Sequence, residues 1–167
     1  ARRTNFNHVL IQYYRKGDDN ISEHADKTID IEMNSDICNY SVGGPRTMRL
    51  RSKKVMHNIT TDGCTSTTGR DIQKIELVDN SVFVLGNDTN RLYLHSIPKD
   101  GTCNVQPRIS FTFRAISTFR NINTNSLVGK GSLMTNETPE GLEELLIAFR
   151  NENKTTADPS TIYRLVG

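Results

Sequence analysis

Three stretches of this chain carry residue types and spacings that could do chemistry. Arg108-Ile-Ser-Phe-Thr-Phe-Arg114 reads as a strand, whose side chains alternate between two faces. Arg108, Ser110, Thr112 and Arg114 share one face; Ile109, Phe111, Phe113 and Ala115 share the other, the one expected to lie in a core. Two guanidiniums and two hydroxyls cannot be buried without partners. A strand that turns both arginines inward therefore predicts a buried dianion held by the pair, in a fork geometry that lysine would lack. His95 stands thirteen residues before Arg108, and His24-Ala-Asp26 stands near the start. On an extended chain His24 and Asp26 point the same way, as a metal approached from one side requires. Two imidazoles and one carboxylate with open positions form the facial ligand set of non-haem Fe(II) oxygenases. Three vacant positions accept a bidentate 2-oxo acid and dioxygen, so the combined pattern predicts an iron oxygenase that consumes a keto-dicarboxylate. A zinc hydrolase could use the same ligands, but it needs a general base and gives the arginines no task. Taken alone, Glu-His-Ala-Asp also reads as an ordinary surface segment.

Short strands and turns must position these residues. Phe6–Tyr14 is β-rich and apolar, and Arg15–Asn20 is a turn signal before a short strand at Ile21–Asp26. Ile37–Val42 is a further strand, followed by a turn at Gly43-Gly-Pro45. Arg46–Ser52 sets Thr47, Arg49 and Arg51 against Met48 and Leu50. That basic face is either a solvated surface or one that meets phosphates. Lys53–Arg70 reads as a loop or two short hairpin arms, in which His57 and Cys64 are structural or incidental. Ile72–Val78 and Ser81–Leu85 flank Asp79-Asn80, a tight-turn pair that predicts a hairpin. Gly86–Asn90 is expected to be a turn, and Arg91–His95 a strand that ends before Pro98. Lys99–Asn104 is a loop, and the arginine strand continues through Phe119. Arg120–Ser132, rich in Asn, Thr, Gly and Ser, reads as a connector.

Thr138–Arg150 is the clearest helix, with Thr138 as N-cap, Pro139 at the first helical position and Glu140 near the positive dipole end. Leu142, Leu145, Leu146 and Phe149 form a stripe expected to pack on the sheet. Asn151–Ser160 is polar, and Thr161–Val166 is a candidate returning strand. About eight strands and one late helix predict an all-β core, a double-stranded β-helix (jelly roll) with a C-terminal helix. Residues 1–119 would form the jelly-roll core, and residues 120–167 the connector, helix and tail packing on it as part of one domain.

With 167 residues the chain can bury a core of its own, and a net charge of +2 neither demands nor excludes nucleic acid. Cys38, Cys64 and Cys103 are an odd set without C-x-x-C pairing. They read as reduced thiols of an intracellular protein, nuclear or cytoplasmic. No apolar run is long enough to span a membrane and no signal-peptide pattern occurs, so no membrane is expected as partner. Sequons such as Asn58-Ile-Thr60 and Asn136-Glu-Thr138 are then chance features of an Asn- and Thr-rich chain. Ala1 reads as an internal start.

Over roughly residues 5–117 the chain resembles the AlkB-like branch of Fe(II)/2-oxoglutarate dioxygenases. Phe6-Asn7 through Tyr14, a Gly-containing turn and His24-x-Asp26 look like the family's opening strands. Ser41-Val-Gly-Gly-Pro-Arg46, running on to Leu50-Arg-Ser-Lys53, is similar to its Ser-x-Gly-x-x-Arg segment and the basic strand after it. Asn90 through Pro98 looks like the distal-histidine segment. Arg108-x-Ser-x-Thr-Phe-Arg114 matches the Arg-x-Asn-x-Thr-Phe-Arg signature except at Ser110.

The resemblance implies that His24, Asp26 and His95 ligate Fe(II) and that Arg108 pairs with the distal carboxylate of 2-oxoglutarate, helped by Tyr14 and Ser110. It puts Arg114 near the keto-acid end and Gln12 where the family often has Asn. It implies dioxygen as co-substrate, ascorbate as a reductant, and alkylated DNA or RNA as substrate. Arg46, Arg49, Arg51, Lys53 and Lys54 are the expected phosphate-facing group. Repair members carry an N-terminal lid over the flipped nucleotide; this sequence begins too late to contain one. An acidic residue often follows their metal Asp, whereas Lys27-Thr28 follow here and Asp30 lies further on. Two other readings stand beside this one: the same chemistry on a protein or small molecule, and a β-barrel binding module without turnover. Protein partners are not specified by any motif.

Overall fold

Tyr14, Ile37 and Leu85 come from one sheet and Met48, Leu50, Leu77 and Ile97 from another, and together they form the main apolar cluster. The structure, a computed structural model, describes residues 5–54, 56–59, 65–102, 104–124, 126–132 and 139–157, without the side chains of residues 56–59, 65–68, 139, 140 and 142. Cys64, Cys103, Thr138 and Thr161–Val166 lie outside the described residues, as do the side chains of His57, Glu140 and Leu142. The elements are β1 (His8–Tyr14), β2 (Ile21–His24), β3 (Ile37–Gly43), β4 (Arg46–Ser52), β5 (Met56–Ile59), β6 (Thr65–Gly69), β7 (Ile72–Leu77), β8 (Ser81–Leu85), α1 (Asn87–Leu92), β9 (Tyr93–Ile97), β10 (Arg108–Arg114), β11 (Thr118–Arg120), β12 (Leu127–Gly129) and α2 (Pro139–Glu152).

Two four-stranded antiparallel sheets carry the fold, in the orders β1-β10-β3-β8 and β2-β9-β4-β7. The chain passes repeatedly from one sheet to the other, which gives the jelly-roll-like all-β core with its late helix. Two small hairpins, β5-β6 and β11-β12, stand apart from the main sheets.

Four local expectations need correction. The turn Asp79-Asn80 does not close a hairpin: β7 pairs with β4 and β8 with β3, so the turn carries the chain between sheets. Asn80 takes a left-handed φ of 55° there, while Asp79 accepts the Gly43 N–H at 2.7 Å. Gly86–Asn90 is not a simple turn but leads into α1. The apolar face of β10 is not its core face. Arg108, Ser110 and Thr112 are buried, whereas Ile109, Phe111 and Phe113 are half-buried on the outside, where Phe111 meets Tyr40 and Phe113 meets Phe6 at ring separations of 6.2 and 6.0 Å. Finally, α2 packs Leu145 and Ala148 against Ile29, in the segment after β2, with Leu127 of the small β11-β12 sheet beside them, a cluster that includes no residue of the two main sheets; Leu146 stays 44% exposed. The buried stripe is set by Ile29, whose side chain is fully enclosed.

Candidate metal and dianion site

β2 and β9 pair so that His24 lies opposite His95, across an irregular register of the kind that re-aims side chains. Their rings stand 4.2 Å apart at 54°. His24 Nδ1 lies 2.8 Å from the Ser22 carbonyl oxygen, which can only accept, so Nδ1 is the donor and Nε2 is the ring nitrogen left for another partner. His95 Nδ1 is shut off from solvent and meets no hydrogen-bond partner among the described residues. Burial, reinforced by the neighbouring His24, pulls the His95 pKa down to about 4. The ring is therefore neutral at pH 7, the form that binds a metal.

Asp26 lies just past the end of β2, where no strand partner remains for its backbone. The Asn90 side-chain amide takes over: Asp26 N–H donates to Asn90 Oδ1 at 2.9 Å, and Asn90 Nδ2 donates to the Asp26 carbonyl at 2.8 Å. Arg114 donates through Nε and Nη2 to the Asp26 carboxylate at 2.8–3.1 Å. A carboxylate offers about four lone-pair sites, so this fork leaves acceptor capacity on Asp26. One potential ligating atom from each of His24, Asp26 and His95 lies within 4.8 Å of the others. Two imidazoles and a carboxylate suit Fe(II).

Arg108 is 1% exposed. Its Nη2 donates to Asn39 Oδ1 at 3.0 Å and Ser41 Oγ at 2.9 Å, while Nε and Nη1 are buried with no hydrogen-bond partner among the described residues. Among the described residues no carboxylate lies within ion-pair distance of it. Its guanidinium carbon sits 5.2 Å from the Tyr14 ring centre, and Arg46 approaches the same ring at 5.3 Å. Burial raises the Tyr14 pKa and lowers that of Arg108. Asn39 also donates to Ser110 Oγ and Thr112 Oγ1 at 3.1 and 2.8 Å, so its amide links the polar face of β10 to β3. A single cavity is lined by Gln12, Tyr14, Arg108, Ser110, the two histidines and Asp26. A second cavity, of about 470 Å³, shares Asp26 and Arg114 with the first and is otherwise walled by residues such as His8, Ile116 and Phe119.

This grouping has a counterpart among known proteins. The family model described as the 2OG-Fe(II) oxygenase superfamily matches residues 1–114. The chain belongs to that superfamily. The DNA oxidative demethylase ALKBH2 of Bos taurus is 30% identical over 111 residues, covering 66% of this chain and 37% of the relative. The ALKBH2 of Homo sapiens is 30% identical over 111 residues, covering 66% and 40%, and that of Mus musculus 29% identical over 111 residues, covering 66% and 44%. The chain thus spans about two fifths of the length of the curated relatives it matches. Among the described residues no helix is long and apolar enough to cross a membrane.

Within this member of the superfamily the sequence-expected residues divide into groups. His24, Asp26, His95, Gln12, Tyr14, Arg108 and Ser110 line one cavity. Arg114 lines it too, but the two-arginine clamp needs correction, because its fork is turned onto Asp26. The expected phosphate-facing group also breaks up. Arg46 is 3% exposed and shares the inward face with Met48 and Leu50; its Nη2 donates to the carbonyls of Asp19 and Pro98 at 2.9 and 2.8 Å. Lys53 is 6% exposed and donates to the Glu152 carbonyl at 2.8 Å. Neither can meet a phosphate. Arg51 forks onto Glu23, and Arg49 lies 4.0 Å from the same carboxylate. Lys54 is exposed. Asn39, Ser41 and Asn90, which composition and spacing did not single out, hold Arg108 and the Asp26 backbone by hydrogen bonds. For Asn39 and Ser41 the signal was available: in β3 they alternate with Cys38, Tyr40 and Val42, on the buried side with Ile37.

Proposed function

We propose that this chain is the core of a dioxygenase in which His24, Asp26 and His95 hold Fe(II) and Arg108 receives the distal carboxylate of 2-oxoglutarate. One observation carries the reading: a fully buried guanidinium keeps two nitrogens, Nε and Nη1, without a hydrogen-bond partner among the described residues, in the same cavity as the three metal-type donors. Leaving such groups unpaired is costly, and a carboxylate is the partner whose charge and planar geometry fit them. The residues present therefore fit both groups. When bound, Fe(II) with 2-oxoglutarate and dioxygen supplies oxidative C–H hydroxylation: one oxygen atom enters succinate, with loss of carbon dioxide, and the other enters the substrate C–H bond.

The protein's own contributions are binding and orientation. Asn39 and Ser41 hold Arg108 against β3, Tyr14 covers its face, and Ser110 borders the same pocket. Arg114 fixes the angle of the Asp26 carboxylate, and Asn90 fixes its backbone. The His24 Nδ1–H bond to Ser22 presents Nε2 to the metal.

The substrate we favour is alkylated nucleic acid. An N-methyl group hydroxylated at carbon collapses to formaldehyde and the free base nitrogen. Support comes from the curated relatives, which are DNA oxidative demethylases, and from the 470 Å³ cavity that shares Asp26 with the metal-type cluster. Arg49 and Lys54 remain the candidates for phosphate contact. The test is to incubate the protein with Fe(II), 2-oxoglutarate and N-methylated oligonucleotides, and to measure succinate and formaldehyde together. Formaldehyde in step with succinate, both lost in His95→Ala, is the expected result. Succinate without formaldehyde would move the substrate to another class, and no metal-dependent succinate would remove the enzyme reading.

A further inference from the structure

The loop that carries Asp26 has a problem of backbone accounting. β2 ends at His24, and the peptide groups that follow lie in a largely buried segment: Ala25 is 2% exposed and Ile29 fully enclosed. Buried N–H groups must find acceptors. Asp26 finds Asn90, as described. The N–H groups on either side find theirs at the far end of the sequence. Ala25 N–H donates to Asn153 Oδ1 at 3.1 Å, and Thr28 donates to Glu152 Oε1 through both its N–H (2.9 Å) and its hydroxyl (2.6 Å). Glu152 is itself 3% exposed.

The attachment runs both ways. The last carbonyls of a helix have no intrahelical donor. Here Lys27 Nζ donates to the Phe149 carbonyl at 2.6 Å and to Asn153 Oδ1 at 3.2 Å, and Lys53 Nζ donates to the Glu152 carbonyl at 2.8 Å. Cations at a helix C-terminus also oppose the helix dipole favourably. The end of α2 and the Asp26 loop thus complete each other's hydrogen bonding. Both holding residues lie well beyond residue 114, where the superfamily match ends.

We infer that Glu152 and Asn153 are positioning residues for the candidate metal site: by gripping the peptides on both sides of Asp26 they fix where its carboxylate points. The inference rests on the metal assignment proposed above for its binding consequence, but its structural half stands without a metal. Two measurements on the full 167-residue chain separate these. In the metal-free protein, amide hydrogen exchange at residues 25–28 is expected to accelerate more than tenfold in Glu152→Ala and Asn153→Ala. Glu152→Gln and Asn153→Asp, which keep an acceptor oxygen, are expected to stay near wild type. In Mn(II) titrations followed by electron paramagnetic resonance, the alanine variants are expected to bind roughly ten- to a hundredfold more weakly, the usual loss when an outer support of a metal ligand is removed.

Two further variants control for helix packing. Arg150→Ala, exposed on the same helix, should change neither readout. Leu145→Ala should lower the melting temperature without matching the loss of Mn(II) affinity. Unchanged exchange at residues 25–28 in both alanine variants overturns the inference, and so does an equal loss of affinity in Leu145→Ala. Wild-type protein that takes up no Mn(II), with the exchange effect present, overturns the metal assignment and leaves the loop-holding role standing.

Discussion

At the scale of single residues, the site depends on groups buried in a charge state that needs help. Arg108 shows this most clearly, because its one well-satisfied nitrogen, Nη2, is held by Asn39 and Ser41. Hydrogen bonds to a charged group are worth about 1.5–3 kcal/mol, so Asn39→Ala should weaken 2-oxoglutarate binding roughly tenfold to a hundredfold. Isothermal titration will measure that loss, while Asn39→Asp should pull the guanidinium onto the new carboxylate and weaken binding further. Lys53 supplies a pH signature. Burial lowers its pKa to about 8 from an ordinary value near 10.5. Between these values the unfolded chain holds more protons than the folded one, so stability rises with pH across that window and is lowest below it. The full difference is about 3 kcal/mol. Chemical denaturation of wild type and Lys53→Met at pH 7.5 and 10.5 should show wild type gaining on the variant as pH rises; parallel curves would contradict it. The polar face of β10 was legible from period-two alternation alone. Arg46 was legible by the same rule, since it shares parity with Met48 and Leu50, but grouping it by charge with Arg49 and Arg51 obscured this. The fate of Arg114 was not legible, because its partner Asp26 lies 88 positions away in sequence.

Elements position these groups through pairings that local sequence does not encode. The existence of β1, β3, β4, β9 and β10 follows from their composition, but the placement of His95 opposite His24 follows from β2 pairing with β9. Asp79-Asn80 has good hairpin chemistry, yet the strands it joins enter different sheets, because each has a longer-range partner that buries its inward face. Turns between sheets are where backbone geometry is tightest. Gly43 ends β3 with φ +93°, and a Cβ there would come within 2.4 Å of the Pro107 carbonyl oxygen. Gly43→Ala therefore combines left-handed strain with a backbone clash, a cost of about 1–3 kcal/mol. At roughly 2–4 °C per kcal/mol for a chain of this size, calorimetry should find a drop of several degrees. A melting temperature equal to wild type would mean that this turn is looser than its geometry implies. The C-terminal helix was legible as a helix but not in its contacts. Its buried positions are chosen by Ile29 and by the hydrogen-bonding needs of the Asp26 loop, neither of which leaves a periodic mark.

Over the whole molecule, the cavity is walled both by residues of the main apolar cluster (Tyr14, Ile37, Met48, Leu85 and Ile97) and by histidines, an aspartate and arginines, so polar groups take up space that a small β-domain would fill with aliphatic side chains. That arrangement costs stability unless ligands complete it. Wild-type protein should therefore gain thermal stability when Fe(II) and 2-oxoglutarate are added together, by an amount that grows with ligand concentration. The basic surface expected along β4 is much reduced, since Glu23 offsets Arg51 and approaches Arg49. Charge reversal at Arg49 together with Lys54 should lower oligonucleotide affinity and flatten its salt dependence; an unchanged salt slope would place nucleic-acid contact elsewhere. The claim on which all of this turns is that one cavity brings a metal held by His24, Asp26 and His95 within reach of a dicarboxylate held by Arg108. Anaerobic isothermal titration of 2-oxoglutarate into the Fe(II)-loaded chain tests it directly. Wild type should show saturable one-to-one binding, weakened by at least about a hundredfold in Arg108→Met, as expected when one partner of a buried charge pair is removed, and equally dependent on His95. Equal affinity in wild type, Arg108→Met and His95→Ala would contradict it.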